Sequence, residues 1–163
     1  MNHTLHARFD ALHRGDTPLM IANAWDAAST ALWQHAGAPA IGTSSAALAW
    51  ACGYADGGPL DRDALLGKVR EICRVAKVPV SIDLEDGYSA DPAQVAALVR
   101  VVAQAGAVGI NLEDGSEDPE LLVPPYGRNK AMNCFQLIDD LNGRPQLRTR
   151  LVGQRCRKQR VRN

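Results

Sequence analysis

Val78-Pro79-Val80-Ser81-Ile82-Asp83-Leu84-Glu85-Asp86-Gly87-Tyr88 is the stretch whose reading decides the fold. Its first six residues form a short apolar run closing on a carboxylate, the pattern of a strand buried on both faces. The turn that follows carries Glu85 and Asp86, and Asp91-Pro92 then opens a helix. Asp91 suits the cap, and Pro92 suits the first helical position, where a missing N–H is not needed. Val95, Leu98, Val99 and Val102 give this helix one apolar face, and Gly106 ends it. Ala107-Val108-Gly109-Ile110-Asn111-Leu112 is a second apolar strand, closing on Glu113 and Asp114. Strand, helix and strand at this spacing make a βαβ unit, which implies parallel pairing.

The same alternation extends towards the N-terminus. Residues 61–77 form an amphipathic helix through Leu65, Leu66, Val69, Ile72 and Cys73. Before it stand the glycine-rich turn 53–58, a short small-residue helix over 44–52, and the strand Pro39-Ala40-Ile41-Gly42-Thr43. Further back, Asp26 caps a helix containing Ala27, Ala28, Ala31 and Leu32 that ends at Gly37. Pro18-Leu19-Met20-Ile21-Ala22 is the first strand, and residues 4–14 form a leading helix with Leu5, Phe9 and Leu12. The helix-to-strand joints resemble one another, which points to equivalent units wound the same way. A barrel and an open doubly wound sheet both fit this pattern. Beyond Asp114 it weakens into an acidic turn at 117–120 and a breaker cluster at 124–127. A further helix over about 129–141 and then an irregular tail are expected.

The chain has 163 residues, of which 46% are hydrophobic and 22% charged, enough apolar material for one core. Its net charge of zero is a cancellation. Residues 144–163 carry eight bases and no acid, leaving 10 bases against 18 acids and a net of −8 in residues 1–143. No apolar run approaches the roughly 18 residues of a membrane span, and the N-terminus lacks a signal-peptide pattern, so a cytoplasmic setting is expected. Cys52, Cys73, Cys134 and Cys156 show no metal-ligand spacing and read as free thiols. His3, His6, His13 and His35 lie early in the chain and read as surface residues.

Ligands of parallel α/β folds bind at the carboxyl ends of the strands. Those ends carry Asn23, Trp25 and Asp26; Thr43, Ser44 and Ser45; Asp83 and Glu85; and Glu113 and Asp114, with Asp56 added by the turn after the second strand. Asp26 and Asp91 have a simple reading as helix caps, and Asp56 as a turn residue. Gathered on one rim, Asp56, Asp83, Glu85 and Glu113 would repel one another unless a hard cation such as Mg2+ neutralised them. Ser44 and Ser45 would then offer hydroxyl and N–H groups to the carboxylate of a small oxo acid.

At these residues the sequence resembles the isocitrate lyase/phosphoenolpyruvate mutase family. The matching pieces are Met20-Ile21-Ala22-Asn23-Ala24-Trp25-Asp26, Ala40-Ile41-Gly42-Thr43-Ser44-Ser45-Ala46, 79–88 and 108–114, in order, within a resemblance over about residues 5–115. The resemblance implies a (β/α)8 TIM barrel with Mg2+ at its carboxyl end. It also implies making or breaking a C–C or P–C bond of a small 2-oxo acid through an enolate. It makes Asp83 the direct Mg2+ ligand and has Asp56, Glu85 and Glu113 hold metal-bound water. It also implies that Thr43, Ser44 and Ser45 bind the substrate carboxylate and that Trp25 or Asn23 lines the pocket.

Two departures accompany it. The stretch after the fourth strand, 114–122, has none of the Lys, Cys and His of the family's gating loop, which argues against isocitrate lyase itself. A full barrel takes about 250 residues, so the expected fold class is α/β, an incomplete TIM barrel of about four βα units. Residues 1–122 form its N-terminal half and residues 123–163 an irregular basic tail, as in a truncated or frame-shifted member. An inactive fragment of such an enzyme, and a receiver-like signalling domain, are the competing readings. A homo-oligomer is expected because a half barrel leaves a sheet edge open. No membrane partner is expected, for want of a long apolar run, and nucleic acid is not an expected partner because no aromatic residue is interleaved with the tail's bases.

Overall fold

The computed structural model describes residues 3–89, 91–112, 134–141 and 144–148. Four parallel strands, β1 (Ala22–Asn23), β2 (Ile41–Gly42), β3 (Val80–Asp83) and β4 (Gly109–Leu112), lie side by side in chain order. Helix α1 (His3–Leu12) precedes them; α2 (Ala27–His35) joins β1 to β2, α3 (Ser45–Ala51) and α4 (Arg62–Val75) join β2 to β3, and α5 (Pro92–Ala105) joins β3 to β4. The order 1-2-3-4 has no reversal, so there is none of the switch point that defines a doubly wound sheet. A receiver-like domain, wound 2-1-3-4-5, is set aside on the same ground.

The helices begin where local chemistry lets them. Asp26 accepts the Ser29 N–H at 2.7 Å, while the Ser29 hydroxyl returns to the Asp26 N–H, a reciprocal capping box. Asp61 and Asp91 cap α4 and α5 through Ala64 N–H and Ala93 N–H, and Gly106 closes α5 in the left-handed conformation. β2, β3 and β4 are shorter than the apolar runs that contain them, and the first strand lies later than expected: β1 is Ala22–Asn23, so residues 18–21 precede the ladder.

Strand alternation divides the buried side chains between two faces. Ile41, Val80, Ile82 and Ile110 join Leu65, Leu66, Val69, Ile72, Leu98, Val99 and Val102 in the main core between sheet and helices. The opposite face carries Asn23, Gly42, Ser81, Asp83, Gly109 and Asn111, which are small or polar. Near the strand starts, Phe9 of α1 packs with Ala40 and Val108. A Cβ on Gly109 would stand 2.6 Å from Phe9 Cε1, so this residue must be glycine for α1 to seat.

Beyond β4 the structure departs from the expectation. Residues 134–141 are not helical: β5 (Cys134–Leu141) pairs antiparallel with β4, and β6 (Arg144–Arg148) with β5. The β4 edge, expected to be open, is therefore occupied. The residues between these strands are Asn142-Gly143, the strongest short hairpin signal, and Pro145 falls on the outermost strand, where a missing ladder donor is tolerated. The turn at 117–120, the cluster at 124–127 and the tail after 148 lie outside the described residues. No helix among the described residues is long and apolar enough to cross a membrane.

At the other edge, β1 ends against side chains of α2. The Trp33 indole N–H donates to the Asn23 carbonyl at 2.8 Å, and the Trp25 N–H donates to Ser29 Oγ at 3.0 Å.

Two outcomes follow from this packing. Gly109→Ala should lower stability by about 1–3 kcal/mol in chemical denaturation, because the added methyl overpacks Phe9. Burial pushes the Cys73 thiol up to about 12. It therefore stays protonated in the fold, and the stability this confers is present below the unfolded value near 9 and lost as pH rises through 12. In peptide-mapped alkylation at pH 8, Cys73 should react more slowly than Cys52 until denaturant is added; equal rates in the native protein would refute it.

Candidate functional site

Asp83 is the last residue of β3, and its neighbours on both flanking strands converge on it. Its backbone N–H donates to Thr43 Oγ1 at 2.8 Å, just beyond β2. Its carboxylate accepts three N–H groups. Ser45 N–H reaches Oδ2 at 3.1 Å, while Glu85 N–H at 3.2 Å and Asn111 Nδ2 at 3.4 Å reach Oδ1. The register of β3 against β4 pairs Asp83 with Asn111 directly, which puts both side chains on the same face. Thr43 is buried and accepts from Asp83, which leaves its own hydroxyl hydrogen to donate.

The turn that follows is held tightly. Glu85 and Tyr88 have φ of 47° and 56°, in the left-handed region, and Gly87 has φ of 89°. Gly87 also lies so close to α5 that a Cβ there would meet Val95 at 2.7 Å. Asp86 Oδ1 accepts the Tyr88 N–H at 2.8 Å, and the Leu84 carbonyl accepts the Gly87 N–H at 2.7 Å. The Tyr88 ring packs on the main core, and its buried hydroxyl has no hydrogen-bond partner among the described residues. Burial, then the charges of Glu85, Asp83 and Asp86, push the phenol above its usual range, so it is a neutral O–H. Ser81 Oγ, two residues before Asp83 on the same face, is likewise buried without a hydrogen bond among the described residues.

The residues singled out from sequence thus fall into three groups. Thr43, Ser45, Asp83 and Glu85 are brought together. The Ser45 N–H, expected to face a substrate, is taken by Asp83. Ser44 caps α3 without a side-chain cap bond, so its hydroxyl is not occupied there. Trp25 is 43% exposed beside the Asp26 cap, and Asn23 Oδ1 lies over Gly42. Asp56 is exposed in the turn before α4. Glu113 lies outside the described residues. Asp26 is a cap, as the simpler reading had it, and the Ser29 N–H and hydroxyl hold its carboxyl below the usual value. That contribution to stability is present above the ordinary pKa near 3.8 and lost as pH falls through the lowered one. Asn111, not among the residues proposed from sequence, joins the site; its signal was an amide within an otherwise apolar strand.

The donor chemistry decides which cation could sit here. Among the described residues no three His, Cys, Asp or Glu side chains group closely enough to hold a metal by themselves. One carboxylate at a strand end, surrounded by hydroxyl and N–H groups, suits a small hard cation that keeps most of its water. Mg2+ binds in this way, whereas zinc and calcium take more protein ligands.

Comparison with known proteins gives a consistent picture. The family model described as phosphoenolpyruvate phosphomutase matches residues 9–133. The chain is 32% identical to the 2-methylisocitrate lyase of Salmonella typhimurium over 113 residues, which are 69% of this chain and 38% of the lyase. A crystal structure from Burkholderia cenocepacia J2315, provisionally named a phosphonomutase, is similar at 39% identity and TM-score 0.66, covering 70% of this chain and 46% of that one. A phosphonopyruvate hydrolase solved in complex with oxalate and Mg2+ is similar at 25% identity and TM-score 0.63, covering 76% and 42%. The chain spans about half the length, or less, of the curated relatives it matches, 48% in one case and 38% in another.

Two substitutions separate structural from ligand-facing roles. Thr43→Val removes the acceptor of the Asp83 N–H and should cost about 1–3 kcal/mol. Ser44→Ala should leave stability within about 0.5 kcal/mol. Urea denaturation of both variants checks this, and equal losses would show that Ser44 has a structural role.

Proposed function

Because the chain belongs to the phosphoenolpyruvate mutase family, we propose that it is a Mg2+-dependent lyase- or mutase-type domain, making or breaking a C–C or P–C bond of a small 2-oxo acid through an enolate. In this reading residues 1–122 are the first half of a (β/α)8 barrel, about four βα units, and the unreversed order of β1 to β4 supports that winding. The observation that carries the proposal is the carboxylate of Asp83, held from both flanking strand ends with the Thr43 hydroxyl beside it.

Asp83 would bind the cation directly, and Asp56, Glu85 and Glu113 would hold its water. The cation would polarise the substrate's oxo group and stabilise the charge that develops on it. The remaining work falls to the chain. Three N–H donors keep the Asp83 carboxylate in one orientation, so no reorganisation is needed when charge develops. The Thr43 O–H and the Ser44 hydroxyl donate to the substrate carboxylate. Ser45 acts indirectly, because its N–H is committed to Asp83. Trp25 lines the rim and shields one side from water. The neighbouring family structure with oxalate and Mg2+ supports the ligand class, since oxalate has the shape and charge of a small enolate.

Titration calorimetry of the full chain with oxalate, with and without MgCl2, tests the reading. Oxalate should bind only with Mg2+, and Asp83→Ala should abolish it while still giving a cooperative thermal melt, at a lower temperature because three N–H groups lose their acceptor. No binding by the wild type would leave an inactive relative of such an enzyme as the better account.

A further inference from the structure

We infer that Asn111 is a positioning residue that makes Asp83 a one-oxygen ligand, and so sets the rim's preference for Mg2+ over Ca2+; this rests on the function proposed above. An ionised carboxylate offers about four acceptor sites. Three at Asp83 are occupied, by Ser45 N–H, Glu85 N–H and Asn111 Nδ2. About one is left for a cation.

A single remaining site dictates how the carboxylate can bind. Mg2+ takes one oxygen from a carboxylate and fills its octahedron with water, whereas Ca2+ is larger and accepts both oxygens of one carboxylate in a looser shell. Two of the three donors are backbone N–H groups, fixed by the chain path after β2 and by the turn at Glu85. Asn111 is the one side chain among the described residues that donates to this carboxylate, and it reaches across from the directly paired position on β4. At 9% exposure its amide has little room to swing away. Groups that orient a metal-binding carboxylate are worth about 10–100-fold in affinity when removed.

The test compares Mg2+ and Ca2+ binding, each metal titrated alone as its chloride because Ca2+ precipitates with oxalate, by calorimetry of the full chain. Wild type, Asn111→Leu, Asn111→Ala and Asp83→Ala are compared, with thermal melts as the folding check. Asn111→Leu keeps the branched shape with somewhat more bulk and removes the donor; Asn111→Ala covers the case in which leucine does not pack. In either variant Mg2+ affinity should fall about 10-fold while Ca2+ affinity holds or rises, so the Mg2+/Ca2+ ratio drops. A ratio unmoved in a folded Asn111 variant, with binding still abolished by Asp83→Ala, overturns this inference and leaves the proposed function standing. A wild type that binds neither cation overturns both.

Discussion

The carboxylate of Asp83 receives N–H groups from the chain after β2, from the turn after β3 and from β4, and the geometry of the rim depends on that convergence. A carboxylate at a strand end is costly to bury unless donors replace the water it loses. Here the donors come from three consecutive segments, so satisfying one side chain fixes the spacing of three strand ends. The packing beneath serves the same end. Ile41, Val80, Ile82 and Ile110 anchor the strands on the helix side, and the close seat of Phe9 on Gly109 holds the opposite face from below. Beneath the rim, side chains thus pack on both faces of the short strands.

The turn after Asp83 has a different character. Left-handed backbone at Glu85 and Tyr88 is unfavourable for residues with side chains, and each such residue stores about 1–3 kcal/mol. The turn tolerates this because Gly87 lies against Val95 and Asp86 accepts the Tyr88 N–H, which leaves few alternative paths. Strain of this kind persists where the surroundings over-determine the backbone. In this chain it occurs in the segment that also carries the carboxylates.

Much of this was legible in the sequence, for local reasons. Asp26, Asp61 and Asp91 cap their helices because capping needs only three or four residues of context, and α4 and α5 show their apolar faces at helical spacing. The parallel sheet follows from the alternation, and the family from motifs at strand ends. The rest depended on contacts distant in sequence. Ser45 reaches Asp83 across 38 residues and Asn111 across 28, and no local pattern shows that an N–H expected to face a ligand is already taken. The strand over 134–141 was missed because its apolar residues suggested a weak helix, although Asn142-Gly143 stands directly after them.

Trp33 has a consequence of another kind. The outermost carbonyl of β1, at Asn23, already receives the indole N–H at 2.8 Å. An incoming strand that would extend the sheet on this side must first remove an aromatic ring from its place. Extension at β1 is therefore an exchange of partners. To a neighbouring chain this edge presents one outward carbonyl fewer on which a strand could be added.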